Sequence, residues 1–167
     1  RIRLICKTRD GYRNLCRLMT LGHADRPKGE CLVTLEQLEQ YRNGLQCLAG
    51  PGLHYLSHRL AAPLVGIFSA SHFALEANLH LTRQSTEHFA RTKDLGAYLK
   101  VPVIATNDVR HAFARQKPLL DVMQCIEKRC TLEQAGHYLQ PNAERRLKGP
   151  EEMRSLLAQE KDVLHRT

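Results

Sequence analysis

Apolar and polar positions alternate at the start of the chain, where Arg1 to Lys7 (R-I-R-L-I-C-K) reads as a strand. The period then lengthens. Tyr12, Leu15, Cys16, Leu18 and Met19 recur at helical spacing, with Asp10 as the expected cap and a polar loop from Gly22 to Glu30. Thr34 opens T-L-E-Q-L-E-Q-Y, a capping-box start for a short helix. Leu45 to Ala49 predicts a second strand, stopped by Gly50, Pro51 and Gly52. Leu53 to Phe68 predicts a helix, with Pro63 as a kink or fresh start. From Phe73 to Leu81 the alternation is clean: Leu75, Ala77, Leu79 and Leu81 point one way, and Glu76, Asn78 and His80 the other. Ser85 is expected to cap a helix to about Lys100, with Phe89, Leu95 and Leu99 inward, and Val101 to Ala105 is a compact apolar run suited to a buried strand. Strand, helix and strand in this order predict a βαβ unit and a parallel pair. Next come a helix over about Arg115 to Lys128, with Leu119, Leu120, Met123 and Ile126 as its inner stripe, and a short one from Thr131 to Gly136. An irregular stretch from Tyr138 to Lys148 leads to a last helix opened by Pro150. The fold class expected is α/β.

The site position in such a fold is the carboxyl end of a buried strand. Here Val101 to Ala105 breaks into Thr106, Asn107 and Asp108, with Arg110 and His111 close behind. Asn107 and Asp108 would equally serve to turn the chain and cap a helix. The polar row Glu76, Asn78, His80 would face a site if the strand is inside, or water if it is at an edge. Together Glu76, His80 and Asp108, with His111 as a fourth, form a candidate metal set, because carboxylate and imidazole suit zinc or manganese.

Composition narrows the classes. An apolar fraction of 43% with 25% charged residues fits an ordinary soluble domain, and no apolar run reaches the length of a membrane span. The formal charge of +8 favours a polyanionic partner, and the densest basic cluster, Arg145, Arg146 and Lys148, is the candidate nucleic-acid contact. Cys125 and Cys130, separated by the four residues Ile126 to Arg129, lack the spacing of a zinc pair, so the thiols are expected reduced, in the cytoplasm. Phosphate-binding loops, a nucleophile elbow, H-x-H and H-E-x-x-H are all missing, and His54 and His58 lack the partner Glu. The lack of an initiator Met, the apolar opening and a last helix still running at Thr167 lead to the expectation of a piece of a longer protein.

Five stretches carry a resemblance. Lys7 to Leu18 (K-T-R-D-G-Y-R-N-L-C-R-L) resembles the strand-to-helix segment in the N-terminal PHP domain of bacterial C-family DNA polymerases. It continues through P-K-G-E at Pro27 and T-L-E-Q-L at Thr34, then V-P-V-I-A-T-N-D-V-R at Val101 and P-N-A-E-R-R-L at Pro141, in the family's order. The Pro27 and Pro141 segments look most like the error-prone, damage-tolerant branch; N-D-V-R is equally at home in the replicative polymerase III alpha subunit.

The resemblance implies that residues 1–167 are the C-terminal part of a PHP-type distorted β/α barrel, a partial domain of a DNA-directed DNA polymerase. The parent's magnesium for nucleotidyl transfer would be held elsewhere, so no cofactor is expected in this piece; zinc or manganese would bind only to an intact PHP site. Two departures weigh against that site. The N-terminal H-x-H is missing, and the late Asp-x-His motif reads Asp108-Val109-Arg110, whose fixed cation cannot ligate a metal. Arg110 is therefore expected to pair with Asp108 or Glu76 where a metal would sit, giving a degenerate scaffold. Its partners would be DNA through the parent polymerase, other polymerase domains, or replication and repair proteins. No membrane partner is expected, and an exposed sheet edge would allow dimerisation. The competing readings are a metal-dependent phosphoesterase or pyrophosphatase and a basic nucleic-acid-binding module without catalysis.

Overall fold

Thr8, in extended backbone, starts the first helix by turning its hydroxyl back to accept from the Gly11 N–H at 3.0 Å. Asp10, the expected cap, lies inside the first turn and pairs with Arg13 at 3.1 Å. These contacts belong to a computed structural model that describes residues 2–50 and 57–164. Pro51, Gly52, His54 and the expected helix start at Leu53 lie outside those residues, as does the chain end at Thr167.

The described residues form a mixed α/β fold with an open four-stranded sheet and eight α-helices. The strands are β1 (Ile2–Cys6), β2 (Leu45–Ala49), β3 (Phe73–Ala77) and β4 (Val103–Ala105), neighbours in that order. The helices are α1 (Arg9–His23), α2 (Leu35–Gln40), α3 (Ser57–Phe68), α4 (Arg83–Leu99), α5 (Lys117–Lys128), α6 (Leu132–Ala135), α7 (Pro150–Leu156) and α8 (Lys161–Leu164). β1 pairs antiparallel with β2, Leu4 opposite Cys47, whereas β2 and β3 run parallel, Leu48 opposite Ala74, with α3 as their crossover. α3 runs through Pro63 as one helix. Beside β3, the Leu75 N–H donates to the Pro102 carbonyl at 2.9 Å. The last helix expected from Pro150 ends at Leu156, and α8 follows as a separate short helix.

The chain divides into two compact units: residues 1–77 with 91–104, and residues 78–90 with 105–167. The first holds the sheet core. All five residues of β3 are buried, so its polar residue Glu76 is inside rather than on a wet face. α1 approaches this core through small residues. Its buried positions are Gly11, Leu18 and Gly22, while Tyr12 and Met19 of the expected stripe are exposed. A Cβ on Gly11 would stand 1.9 Å from the Gly44 carbonyl oxygen. Gly44 itself needs its positive φ of 75°.

The second unit buries little apolar surface: Phe89, Ala105, Cys125, Ala135, Leu157 and Val163. Thr131 caps α6 with a full capping box, as Thr34 caps α2. The expected inner stripe of α5 is turned outward, with Leu119, Met123 and Ile126 at 61%, 60% and 71% exposure. A helical period marks an apolar face without saying what covers it. Among the described residues no helix is long and apolar enough to cross a membrane.

Replacing Gly11 by Ala should destabilise the chain by about 1–3 kcal/mol through overpacking against backbone. Gly66→Ala, in α3 with open space around the added carbon, should stabilise by about 0.4–1 kcal/mol. Urea denaturation of the two variants checks both, and equal midpoints would contradict this packing.

Candidate functional site

Past the ends of β3 and β4 the chain alternates in burial, with Asn78 and His80 buried after one strand and Asn107 after the other. Buried polar side chains require partners, and those of Asn107 come from the irregular segment 142–148. Asn78 Nδ2 donates to the carbonyl of Thr106 at 2.8 Å and to its hydroxyl at 2.7 Å. Asn107 Nδ2 donates to the carbonyls of Glu144 at 2.9 Å and Arg146 at 2.6 Å, and its Oδ1 accepts from Lys148 Nζ at 3.2 Å. Asn142 Nδ2 donates to the His80 carbonyl at 2.7 Å, and Asn142 Oδ1 accepts from the Glu144 N–H at 3.0 Å, an Asx turn.

His80 is fixed by the same framework. Its backbone N–H donates to Ser85 Oγ at 3.1 Å, and its ring Nε2–H donates to the Asn107 carbonyl at 3.1 Å. The tautomer follows, because a carbonyl only accepts. Burial pushes the imidazole below its ordinary range, while the bond to Asn107 raises it and Arg145 and Lys148 lower it further. Ser85, the expected helix cap, accepts from the Thr82 N–H at 3.1 Å, and Thr82 Oγ1 accepts from the Ser85 N–H at 3.1 Å, so the two share the cap.

Around Asp108 the chemistry is ionic. Asp108 Oδ2 accepts from Arg145 Nη1 at 2.8 Å and from Arg110 Nη2 at 3.4 Å. The Asp108 backbone has a φ of 39°, in the left-handed region that side chains disfavour. Arg146 grips Glu152 through both terminal nitrogens, one bond at 2.8 Å. Lys148 pairs with Glu144 at 3.1 Å and has a side chain only 1% exposed. The basic cluster of Arg145, Arg146 and Lys148 is thus built into the second unit, each cation facing a carboxylate. His111 lies alongside, its carbonyl accepting from the Leu147 N–H at 3.0 Å and both ring nitrogens buried without a hydrogen-bond partner.

Glu76 belongs to the first unit, where its carboxylate accepts from Arg3 of β1. A Cβ at Gly50 would stand 2.7 Å from the Glu76 carboxylate, so a glycine clears the way for this pair. His80, Asp108, Arg110 and the basic cluster lie in the second unit. The expected pairing of Arg110 is with Asp108, shared with Arg145, while Glu76 pairs with Arg3 instead. Among the described residues no three His, Cys, Asp or Glu side chains form a group able to hold a metal ion. The working residues that pattern reading overlooked are Arg3, Asn142, Glu144 and Glu152. The one sequence signal for them is Asn142, two residues before Glu144 in an Asx-turn spacing.

Two outcomes follow. Asn107→Ala should cost about 1–3 kcal/mol for each backbone carbonyl left unpaired, measured by urea denaturation. For His80, the depressed folded-state value means that below about pH 6.5, its ordinary value, the unfolded chain takes up a proton that the folded chain resists. Stability should therefore fall as pH drops from there, by a component that His80→Gln removes. An identical slope in both proteins would contradict the buried neutral imidazole.

No family model matches the chain. It is 30% identical to the error-prone DNA polymerase of Rhodopseudomonas palustris (strain BisB5), covering 95% of this chain and 14% of that protein. The protein of the same name from Caulobacter vibrioides is 32% identical, over 95% of this chain and 15% of its own length. That of Anaeromyxobacter dehalogenans (strain 2CP-1) is 36% identical, over 93% and 14%. The chain therefore spans about a seventh of the length of the relatives it matches, and the similarity supports a segment of a DNA polymerase.

Proposed function

We propose that this chain is a PHP-type module of an error-prone DNA polymerase, that it works as a scaffold, and that paired charges stand where a hydrolytic member would hold a metal. The observation that carries the reading is the Asp108 carboxylate held between the guanidinium groups of Arg110 and Arg145. Two fixed cations on one oxygen of this carboxylate oppose a divalent ion there. The similarity to error-prone DNA polymerases supports the parent activity, nucleotide addition to a primer with magnesium held elsewhere in the longer chain. DNA is then a partner of the parent. Arg145, Arg146 and Lys148 already face carboxylates, so phosphate contact falls to other parts of the polymerase. The exposed stripe of α5 supports the protein-binding half of the reading, since an apolar face of this kind suits contact with another polymerase domain.

A hydrolytic reading draws on one specific feature, the unpartnered imidazole of His111 in the same unit as Asp108 and His80. Elemental analysis separates the two. The scaffold reading expects substoichiometric zinc and manganese in the full-length protein, and uptake in an Arg110→His, Arg145→Gln double variant. It also expects Asp108→Asn to lower stability by about 1.5–3 kcal/mol, the range for hydrogen bonds to charged groups, while primer extension per folded molecule is unchanged. Stoichiometric metal in the unmodified protein, with phosphoester hydrolysis lost in Asp108→Asn, would overturn it.

A further inference from the structure

α5 ends in a chain reversal that places two thiols together. Arg129 adopts the left-handed conformation with a φ of 53°. Its N–H donates to the Ile126 carbonyl at 3.2 Å, and the Cys130 N–H donates to the Cys125 carbonyl at 3.1 Å. These two bonds define a Schellman motif, in which the side chains at the Cys125 and Cys130 positions regularly meet. Here both are free cysteines. Both line one cavity of about 430 Å³ between α5 and α6, with Val122, Ile126 and Leu132. Cys125 is buried and Cys130 half-exposed, so one sulfur is open to solvent reagents and the other stands behind it.

We propose that Cys125 and Cys130 are a reversible modification site, closing to an intrachain disulfide on exposure to a peroxide. The Cys130 thiolate attacks one peroxide oxygen, the O–O bond breaks, and Cys130 becomes a sulfenic acid as the first water leaves. The Cys125 sulfur then attacks the Cys130 sulfur and displaces the hydroxyl as a second water. Two thiols lose two electrons and two protons, and one hydrogen peroxide becomes two waters. The backbone reversal already holds the pair, so closure needs no refolding of α5 or α6. Burial, the neighbouring thiol and the carboxylates of Asp121 and Glu133 keep the Cys125 thiol above its ordinary range. The second step therefore quickens toward alkaline pH. The product ties the start of α6 to the last turn of α5 beside the exposed stripe, a contact surface that would then respond to oxidation.

The test uses the full chain treated with hydrogen peroxide, cleaved after Lys128 and Arg129 so that the two cysteines fall on separate peptides. The expected product is a linked pair of these peptides that dithiothreitol separates. In Cys125→Ser the accessible thiol has no neighbour to resolve it, and trapping of sulfenic acid at Cys130 by dimedone should rise severalfold. In Cys130→Ser the buried Cys125 should stay reduced while exposed Cys16 and Cys31 react. Linkage of Cys130 to Cys16 or Cys31 instead, or sulfenic acid persisting at Cys130 in the unmodified chain, would overturn the proposal. So would Cys125 and Cys130 remaining reduced while Cys16 is oxidised.

Discussion

The side-chain amide of Asn107 is buried just beyond β4, and all three of its hydrogen bonds reach into the segment 144–148. That segment has no helix or strand to satisfy its own backbone, so the amide supplies what secondary structure would have supplied. Two backbone bonds run beside it, from the Arg110 N–H to the Arg145 carbonyl at 2.7 Å and from the Leu147 N–H to the His111 carbonyl at 3.0 Å. With few buried apolar side chains in this unit, the polar contacts around Asn107 set the path of the chain more than packing does. The His80 ring and Lys148 are both placed by contacts to Asn107 or its own carbonyl, and Asn142 holds the His80 carbonyl.

Charge is arranged by the same logic. Arg110, Arg145, Arg146 and Lys148 face Asp108, Glu144 and Glu152. Burial pushes the Arg145 guanidinium below its ordinary range, and Asp108 offsets that by holding it charged. The left-handed backbone at Asp108 is part of the arrangement. A non-glycine residue there costs about 1–3 kcal/mol and persists only where the surroundings over-determine it, and two guanidinium groups on one carboxylate do so. This argues for a built structural element at the end of β4 rather than a loop that happens to be polar.

The parts of this fold that were legible in sequence are those set by nearest neighbours. Both T-L-E-Q caps, the strand at Leu45–Ala49 and the buried run ending at Ala105 follow from local spacing, because hydroxyl-to-backbone geometry and apolar runs act over a few residues. The placement of Asn107 and Asp108 just after a buried strand was legible for the same reason. Their partners were not. Arg3 meets Glu76 from 73 residues away, and Arg145 meets Asp108 from 37 away, so no window of sequence holds both ends. α5 misled in another way: its period is amphipathic, but its apolar side faces out while Cys125 faces in.

That inversion bears on how the module holds itself together. Covering apolar surface contributes about 25 cal/mol per Å², and the second unit leaves such surface open on α5. A chain selected to stand alone would bury Leu119, Met123 and Ile126 first and tolerate loose polar contacts at its rim. Here Leu119, Met123 and Ile126 are exposed instead, an apolar face of the kind that suits contact with another surface. On this view the ion pairs at Asp108 and the open face of α5 serve one end: they fix a rigid element internally and present a hydrophobic surface outward.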